Sequence, residues 1–204
     1  MITDALRNKR RGNSQAVILH LDGDKKYSKR AYNYYNNMNL KAIVEYIRED
    51  RQPEEVNRLL NQYNPDILVA TGHDTMYEKG EKLYKLDNYK NSKYFIKTVK
   101  KAREWEPSNE KLIIFAGACE SFYELIMVAG ANFASSPARI MVEYRDPLII
   151  ASKIAQTESN KYITMKDLLP YLKSNYNGVG GSKARGKKNK WQKDKKNKCN
   201  IFVT

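Results

Sequence analysis

Four short apolar blocks constrain this chain more than anything else in it. They lie at 16–21, 42–47, 66–70 and 112–116, are rich in branched side chains, and each is followed by a polar turn and a stretch of helical periodicity. Blocks of this length that are apolar throughout, rather than alternating, read as strands covered on both faces. The intervening stretches are amphipathic. Tyr27, Ala31, Tyr34, Tyr35 and Met38 mark one helix over 25–38; Pro53 opens a second, with Val56, Leu59 and Leu60 on one face and Asn64-Pro65 at its end. Tyr94, Phe95, Ile96, Val99 and Ala102 mark a third over 92–104, and a fourth is expected from Glu120 or Ser121 to Gly130. Strand and helix in alternation predict an α/β fold, mainly a parallel sheet with helices on both faces. A polar insertion at 75–91, extended pieces at 132–136 and 139–144, and helices near 147–155 and 166–173 complete the expected order. Three regions follow: a basic N-terminal extension at 1–15, one α/β domain at 16–176, and a glycine hinge with a basic flexible tail at 177–204.

Composition narrows the function classes. The 204 residues are 41% hydrophobic and 29% charged, enough apolar sequence for a core. No apolar run approaches the roughly 20 residues of a membrane-spanning helix, and the basic N-terminus has no signal-like hydrophobic segment. No membrane partner is expected. Cys119 and Cys199 cannot build a disulfide scaffold, and with only two histidines no zinc spacing can be drawn, so no metal and no cofactor is expected and a reducing compartment is indicated. The net charge of +14 sits largely at the ends: 182–204 carries +8 and 1–12 carries +3, leaving +3 for everything between. A nucleic-acid-binding module built on the tails and fifteen tyrosines is therefore a weak alternative, limited to salt-sensitive contact.

The third and fourth apolar blocks end in small-residue turns that carry the most reactive pair in the chain, His73 and Cys119. In open α/β sheets, sites form outside the carboxyl ends of the strands, so neighbouring strands would bring the two side chains over one edge. A lone cysteine or histidine in such a place is usually structural; the pair, each at a strand end and each beside glycine, points to a nucleophile and its base. Cys119, read as standing just before a helix, would have its thiolate favoured by the helix N-terminus. Gly72 and Gly117 would let a substrate backbone approach, and the N–H groups of Asp74 and Cys119 would face a developing oxyanion. His20, inside the first strand, reads as structural, and Cys199 has no evident partner.

At this point the residues resemble a known family. Leu21-Asp22-Gly23-Asp24, Thr71-Gly72-His73-Asp74, Asn91-Ser92-Lys93-Tyr94-Phe95, Phe115-Ala116-Gly117-Ala118-Cys119 and the run from Gly130 to Pro137 look like the YabG family of sporulation-specific proteases, over about 16–181. The order of His after the third strand and Cys after the fourth resembles the caspase-like clan of cysteine peptidases. The resemblance implies a caspase-like (caspase-hemoglobinase) architecture and a His73/Cys119 endopeptidase that cleaves spore coat and other spore proteins after arginine. It places the protein in the sporulating mother-cell cytoplasm or at the spore coat. Some arginine-specific clan members use an acid two residues before the nucleophile, where this chain has Gly117; an arginine pocket would need its carboxylate elsewhere, with Asp22 or Asp24 the first candidates and Asp146 behind them. Arg10, Arg11 and Arg185, expected in flexible segments, are candidate self-processing sites. A glutamine amidotransferase-like cysteine hydrolase is the rival enzyme, disfavoured because its histidine follows the cysteine.

Overall fold

The computed structural model of the protein describes residues 15–188 and the backbone of 201–203. Strands β1 (Val17–Asp22), β2 (Lys41–Tyr46), β3 (Ile67–Thr71), β4 (Ile113–Ala116) and β5 (Phe133–Ser135) pair in parallel; β7 (Val179–Gly181) closes one edge antiparallel to β5, and β9 (Ile201–Val203) lies parallel to β2 at the other. The sheet order is β7-β5-β4-β3-β1-β2-β9. Every residue of β1, β3 and β4 is buried, which is why those blocks are apolar without alternation.

Helices α1 (Lys25–Asn37) and α5 (Arg145–Gln156) cover one face, where Ala31, Tyr35, Leu148 and Ile154 meet Ile18, Val69 and Phe115. Helices α2 (Gln52–Tyr63), α3 (Ser92–Trp105) and α4 (Tyr123–Val128) cover the other, where Leu59, Phe95 and Ile126 meet Leu19, Leu68 and Ile114. Mainly parallel strands with helices on both faces are what the periodicity predicts. Pro53 sits in the first turn of α2, where its missing N–H costs nothing, and Asn64 ends the helix in the left-handed region.

The structure departs from the sequence reading in four places. The fourth helix starts at Tyr123, not at 120 or 121, because Glu120 takes a left-handed backbone (φ 55°) and the Ala118 N–H is held by the Ser121 hydroxyl. A helix four residues away and six long gives Cys119 no dipole. The stretch 139–144 is loop rather than strand. The supposed glycine hinge is part of the sheet: a Cβ on Gly181 would come within 2.6 Å of the Asn132 carbonyl oxygen, so glycine here permits close strand pairing rather than flexibility. Finally, Arg185 lies in β8 (Lys183–Arg185), paired with β6 (Tyr162–Thr164), and its Nε donates to the Ser159 carbonyl; it is not in a loose segment. The short helices α6 (Met165–Leu168) and α7 (Asn175–Gly178) flank these strands. Arg10, Arg11 and Cys199 lie outside the described residues.

Candidate active site

β1 and β3 are adjacent in the sheet, yet the helices that follow them leave on opposite faces, α1 on one and α3 on the other. A crevice opens where the connections diverge. It holds a cavity of about 410 Å³ whose lining includes Asp22, Gly72, His73, Gly117, Cys119 and Val142. The structure thus brings His73 and Cys119 to one cavity, as the strand-end argument requires.

His73 is held at three points. Its Nε2 lies 3.0 Å from Asp24 Oδ2, its backbone N–H donates to Glu49 Oε1 at 2.6 Å, and its carbonyl accepts from Asn91 Nδ2 at 2.8 Å. A carboxylate only accepts, so Nε2 carries the proton of the neutral ring and Nδ1 keeps its lone pair. Nδ1 has no hydrogen-bond partner among the described residues. The other oxygen of Asp24 accepts from Lys26 N–H at 2.7 Å and Tyr27 N–H at 3.0 Å, which makes Asp24 the N-cap of α1. One carboxylate starts a helix and aims an imidazole. Burial works against its ionisation, but the His73 hydrogen bond, the two backbone N–H groups and the His73 charge outweigh burial and hold its pKa below 3.8.

The Cys119 thiol is free, and its Sγ receives the N–H of Val142 at 3.3 Å. The carbonyl of the same residue lies 3.8 Å from Sγ, so Val142 meets the sulfur with both its N–H and its C=O. The Cys119 N–H has no acceptor among the described residues, whereas that of Gly117 is in the ladder to Ala70. Asp74 does not line the cavity. Its buried carboxylate accepts from Thr75 and Asn91 N–H groups at 2.9 and 2.7 Å and from the hydroxyls of Ser92 and Ser121. Ser121 in turn accepts the Ala118 N–H at 2.9 Å, so Asp74 ties the histidine loop to the cysteine turn. Burial, outweighing those hydrogen bonds, raises its pKa.

The remaining carboxylates separate cleanly. Asp22, buried, lines the cavity; Asp24 serves His73; Asp146 is fully buried and does not line the cavity, although Tyr144 and Pro147 on either side of it do, and its two oxygens accept the Lys173 and Ser174 N–H groups at 2.9 Å each. Asp146 clamps a loop and is not a substrate candidate. Gly72 lines the cavity but also answers to Glu49: a Cβ at Gly23 or Gly72 would sit 2.1 or 2.3 Å from the Glu49 carboxyl. Sequence reasoning missed Glu49, Val142, and the histidine-orienting use of Asp24. It read His20 as structural with a small chance of touching the site, and His20 lines the cavity beside Asp22. Tyr27, three residues after the cap, meets the His73 ring edge-on at 6.0 Å and packs against Tyr144 at 5.4 Å at the cavity wall. Only Asp24 had a legible signal, an Asp directly before a helical pattern. Among the described residues no cluster of three or more His, Cys, Asp or Glu could hold a metal, and no helix is long and apolar enough to cross a membrane.

Comparisons with known proteins agree with the motif resemblance. A family model described as YabG peptidase U57 matches residues 4–192. The sporulation-specific protease YabG of Bacillus subtilis (strain 168) is 38% identical over 169 residues, a match covering 83% of this chain and 58% of that protein. The chain therefore spans somewhat over half the length of that relative. Among solved structures, an RcsB response regulator of Salmonella typhimurium matches with a TM-score of 0.40 and 11% identity, over 69% of this chain and 57% of that one.

Proposed function

The chain belongs to the YabG peptidase U57 family, and from that premise we propose that it is a cysteine endopeptidase of sporulation that cleaves after arginine in spore coat and other spore proteins. Cys119 is the nucleophile and His73 the acid–base group. The observation that carries this reading is the shared cavity, with His73 Nε2 on Asp24 and Cys119 Sγ on the Val142 N–H.

The chemistry follows from those contacts. His73 Nδ1 takes the thiol proton, and Sγ attacks the scissile carbonyl carbon to form a tetrahedral adduct. The Cys119 N–H, which has no acceptor among the described residues, stabilises the oxyanion, and Asp24 stabilises the imidazolium. On collapse the C–N bond breaks, Nδ1–H protonates the leaving amine, and a thioester remains. Water, deprotonated by Nδ1, then attacks the thioester, releasing the acid product and restoring the thiol. A guanidinium at the position before the scissile bond is received by Asp22, the carboxylate that lines the cavity without a Lys or Arg partner among the described residues. A second cavity of about 380 Å³, bounded by Glu49, Lys90 and Tyr94 on the far side of His73, suits the leaving-group side of the substrate. The adjacency of β3 and β4, with His73 after one and Cys119 after the other, supports a caspase-like architecture.

The deciding experiment is cleavage of an arginine-containing peptide by wild type, Cys119→Ala and His73→Ala, with a thiol alkylator as control. Both variants and the alkylated enzyme lose at least about 10³-fold in kcat/KM; equal turnover by all would end the reading. Self-processing is proposed at Arg10 and Arg11 only: the wild type shortens by mass spectrometry on incubation, and Cys119→Ala keeps its mass.

A further inference from the structure

Resting on the peptidase reading, we infer that Tyr35, His20 and Thr71 are positioning residues for substrate arginine, forming a buried one-directional hydrogen-bond chain that aims the Asp22 carboxylate into the cavity. Tyr35 OH lies 3.0 Å from His20 Nδ1, His20 Nε2 lies 2.9 Å from Thr71 Oγ1, and Thr71 Oγ1 lies 2.8 Å from Asp22 Oδ2. Thr71 has one proton. Of its two acceptors, the Asp22 carboxylate at 2.8 Å and the Leu21 carbonyl at 3.5 Å, the proton goes to the nearer and charged one, and Thr71 then accepts from His20. In the neutral ring Nε2 is therefore the protonated nitrogen of His20, and the bare Nδ1 accepts from the Tyr35 hydroxyl. Every direction in the chain is determined by its end at Asp22. Burial, with Tyr34 and Asp22 adding to it, pushes the Tyr35 phenol well above its ordinary range, so it keeps the proton it donates.

The groups are all buried: Tyr35 is 0%, His20 1%, and Asp22 and Thr71 6% exposed. The direct His20 Nε2 to Asp22 Oδ2 separation, 3.6 Å, is too long for a hydrogen bond, so Thr71 is the coupling atom. The second oxygen of Asp22 accepts the Asp24 N–H at 2.7 Å. Each carboxylate oxygen then has one donor and one lone pair to spare. Two parallel lone pairs on a carboxylate with no Lys or Arg partner among the described residues fit the two-pronged guanidinium better than a single ammonium. The same Asp24 that supplies this N–H also orients His73, so recognition and catalysis share one turn.

The test uses the full chain and two peptides that differ only at the residue before the scissile bond, arginine or its uncharged isostere citrulline. Thr71→Val keeps the side-chain shape and removes the hydroxyl. The ratio of kcat/KM for arginine over citrulline falls at least tenfold, mainly through KM, and Thr71→Ser restores it; Tyr35→Phe lowers the ratio in the same direction by less. In wild type, the imidazole nitrogen shifts of His20, one of only two histidines, report Nε2–H with Nδ1 bare. An unchanged ratio in Thr71→Val, equal loss on both peptides, or a His20 ring protonated at Nδ1 overturns the inference. Cleavage by Cys119→Ala at the wild-type rate would instead remove the peptidase reading beneath it, and a wild-type ratio near one would remove Asp22.

Discussion

Replacing Asp24 with serine, alanine and asparagine separates the two jobs of one carboxylate. Its Oδ1 caps α1 through Lys26 and Tyr27, and its Oδ2 holds His73 Nε2 at 3.0 Å. Serine is as good an N-cap as aspartate, so Asp24→Ser leaves stability within a few tenths of a kcal/mol. Alanine loses the cap, about 1 kcal/mol, which for a domain of this size lowers Tm by about 2–4 °C. Neither can hold the imidazole. A hydrogen bond to a charged group is worth about 1.5–3 kcal/mol, and at about 1.4 kcal/mol per decade its loss lowers kcat/KM by about 10- to 150-fold. His73 is 62% exposed on its side chain, so solvent replaces part of the interaction and the lower half of that range is expected. Asparagine caps like aspartate but can turn its amide N–H toward Nε2, favouring the ring with its proton on Nδ1, which removes the base. Activity should therefore rank Asp, then Ser and Ala together, then Asn, while Tm drops only for Ala. The assay is kcat/KM on the arginine peptide beside thermal unfolding of each variant. Ser within threefold of wild type, or Asn more active than Ser, would refute the orienting role; a rate loss confined to the Ala variant would mean that the cap alone matters.

Asp74→Ala leaves four donors without their shared acceptor and destabilises the protein by about 3 kcal/mol or more, with Tm and activity falling together because the cysteine turn hangs on Ser121; chemical denaturation measures the first and peptide cleavage the second. Gly117→Ala places a Cβ at φ 103° and 3.1 Å from Ile126 Cδ1, costing about 1–2 kcal/mol in the same denaturation assay, whereas Gly80→Ala, with φ 88° but open space around it, meets only the backbone strain and costs less. Glu45, buried in β2, has its pKa raised by burial against the opposing Tyr63 hydrogen bond and Arg58 charge, so its cost to stability grows as pH rises above 4.5. Glu45→Gln should therefore raise Tm at pH 7 and lose that advantage by pH 4. Asp24 runs the other way: its lowered pKa gives stability that is complete above about 3.8 and lost as pH falls below it, so Asp24→Ser flattens the acid limb of a Tm-against-pH profile.

What could be read from the sequence was what repeats along it. Parallel strands covered on both faces are apolar at nearly every position, His20, Asp22 and Thr71 being the exceptions, so β1, β3 and β4 announce themselves, and the helix faces show through a 3.6-residue period. His73 and Cys119 follow from the same source, since strand ends in a parallel sheet share an edge. Their partners do not, because each is a single contact over a long span of chain. Asp24 meets His73 across 49 residues, Glu49 across 24, Val142 meets Cys119 across 23, and Asp74 meets Ser121 across 47. Val142 contributes a backbone N–H, which any residue but proline would supply, so its identity carries no signal. Gly72 and Gly181 were legible as glycines but not in full purpose: one also makes room for the Glu49 carboxyl, the other for a neighbouring strand. Asp146 shows the converse error, a carboxylate near the right segment whose hydrogen bonds face into the protein. Periodicity locates a site to within a strand end; assigning roles to the acids around it requires knowing which donors each oxygen already satisfies. By that criterion Asp74 is closed and Asp24 is committed to His73 and its helix; Asp146 and Asp22 each take one donor per oxygen, and of these two Asp22 is the one that lines the cavity.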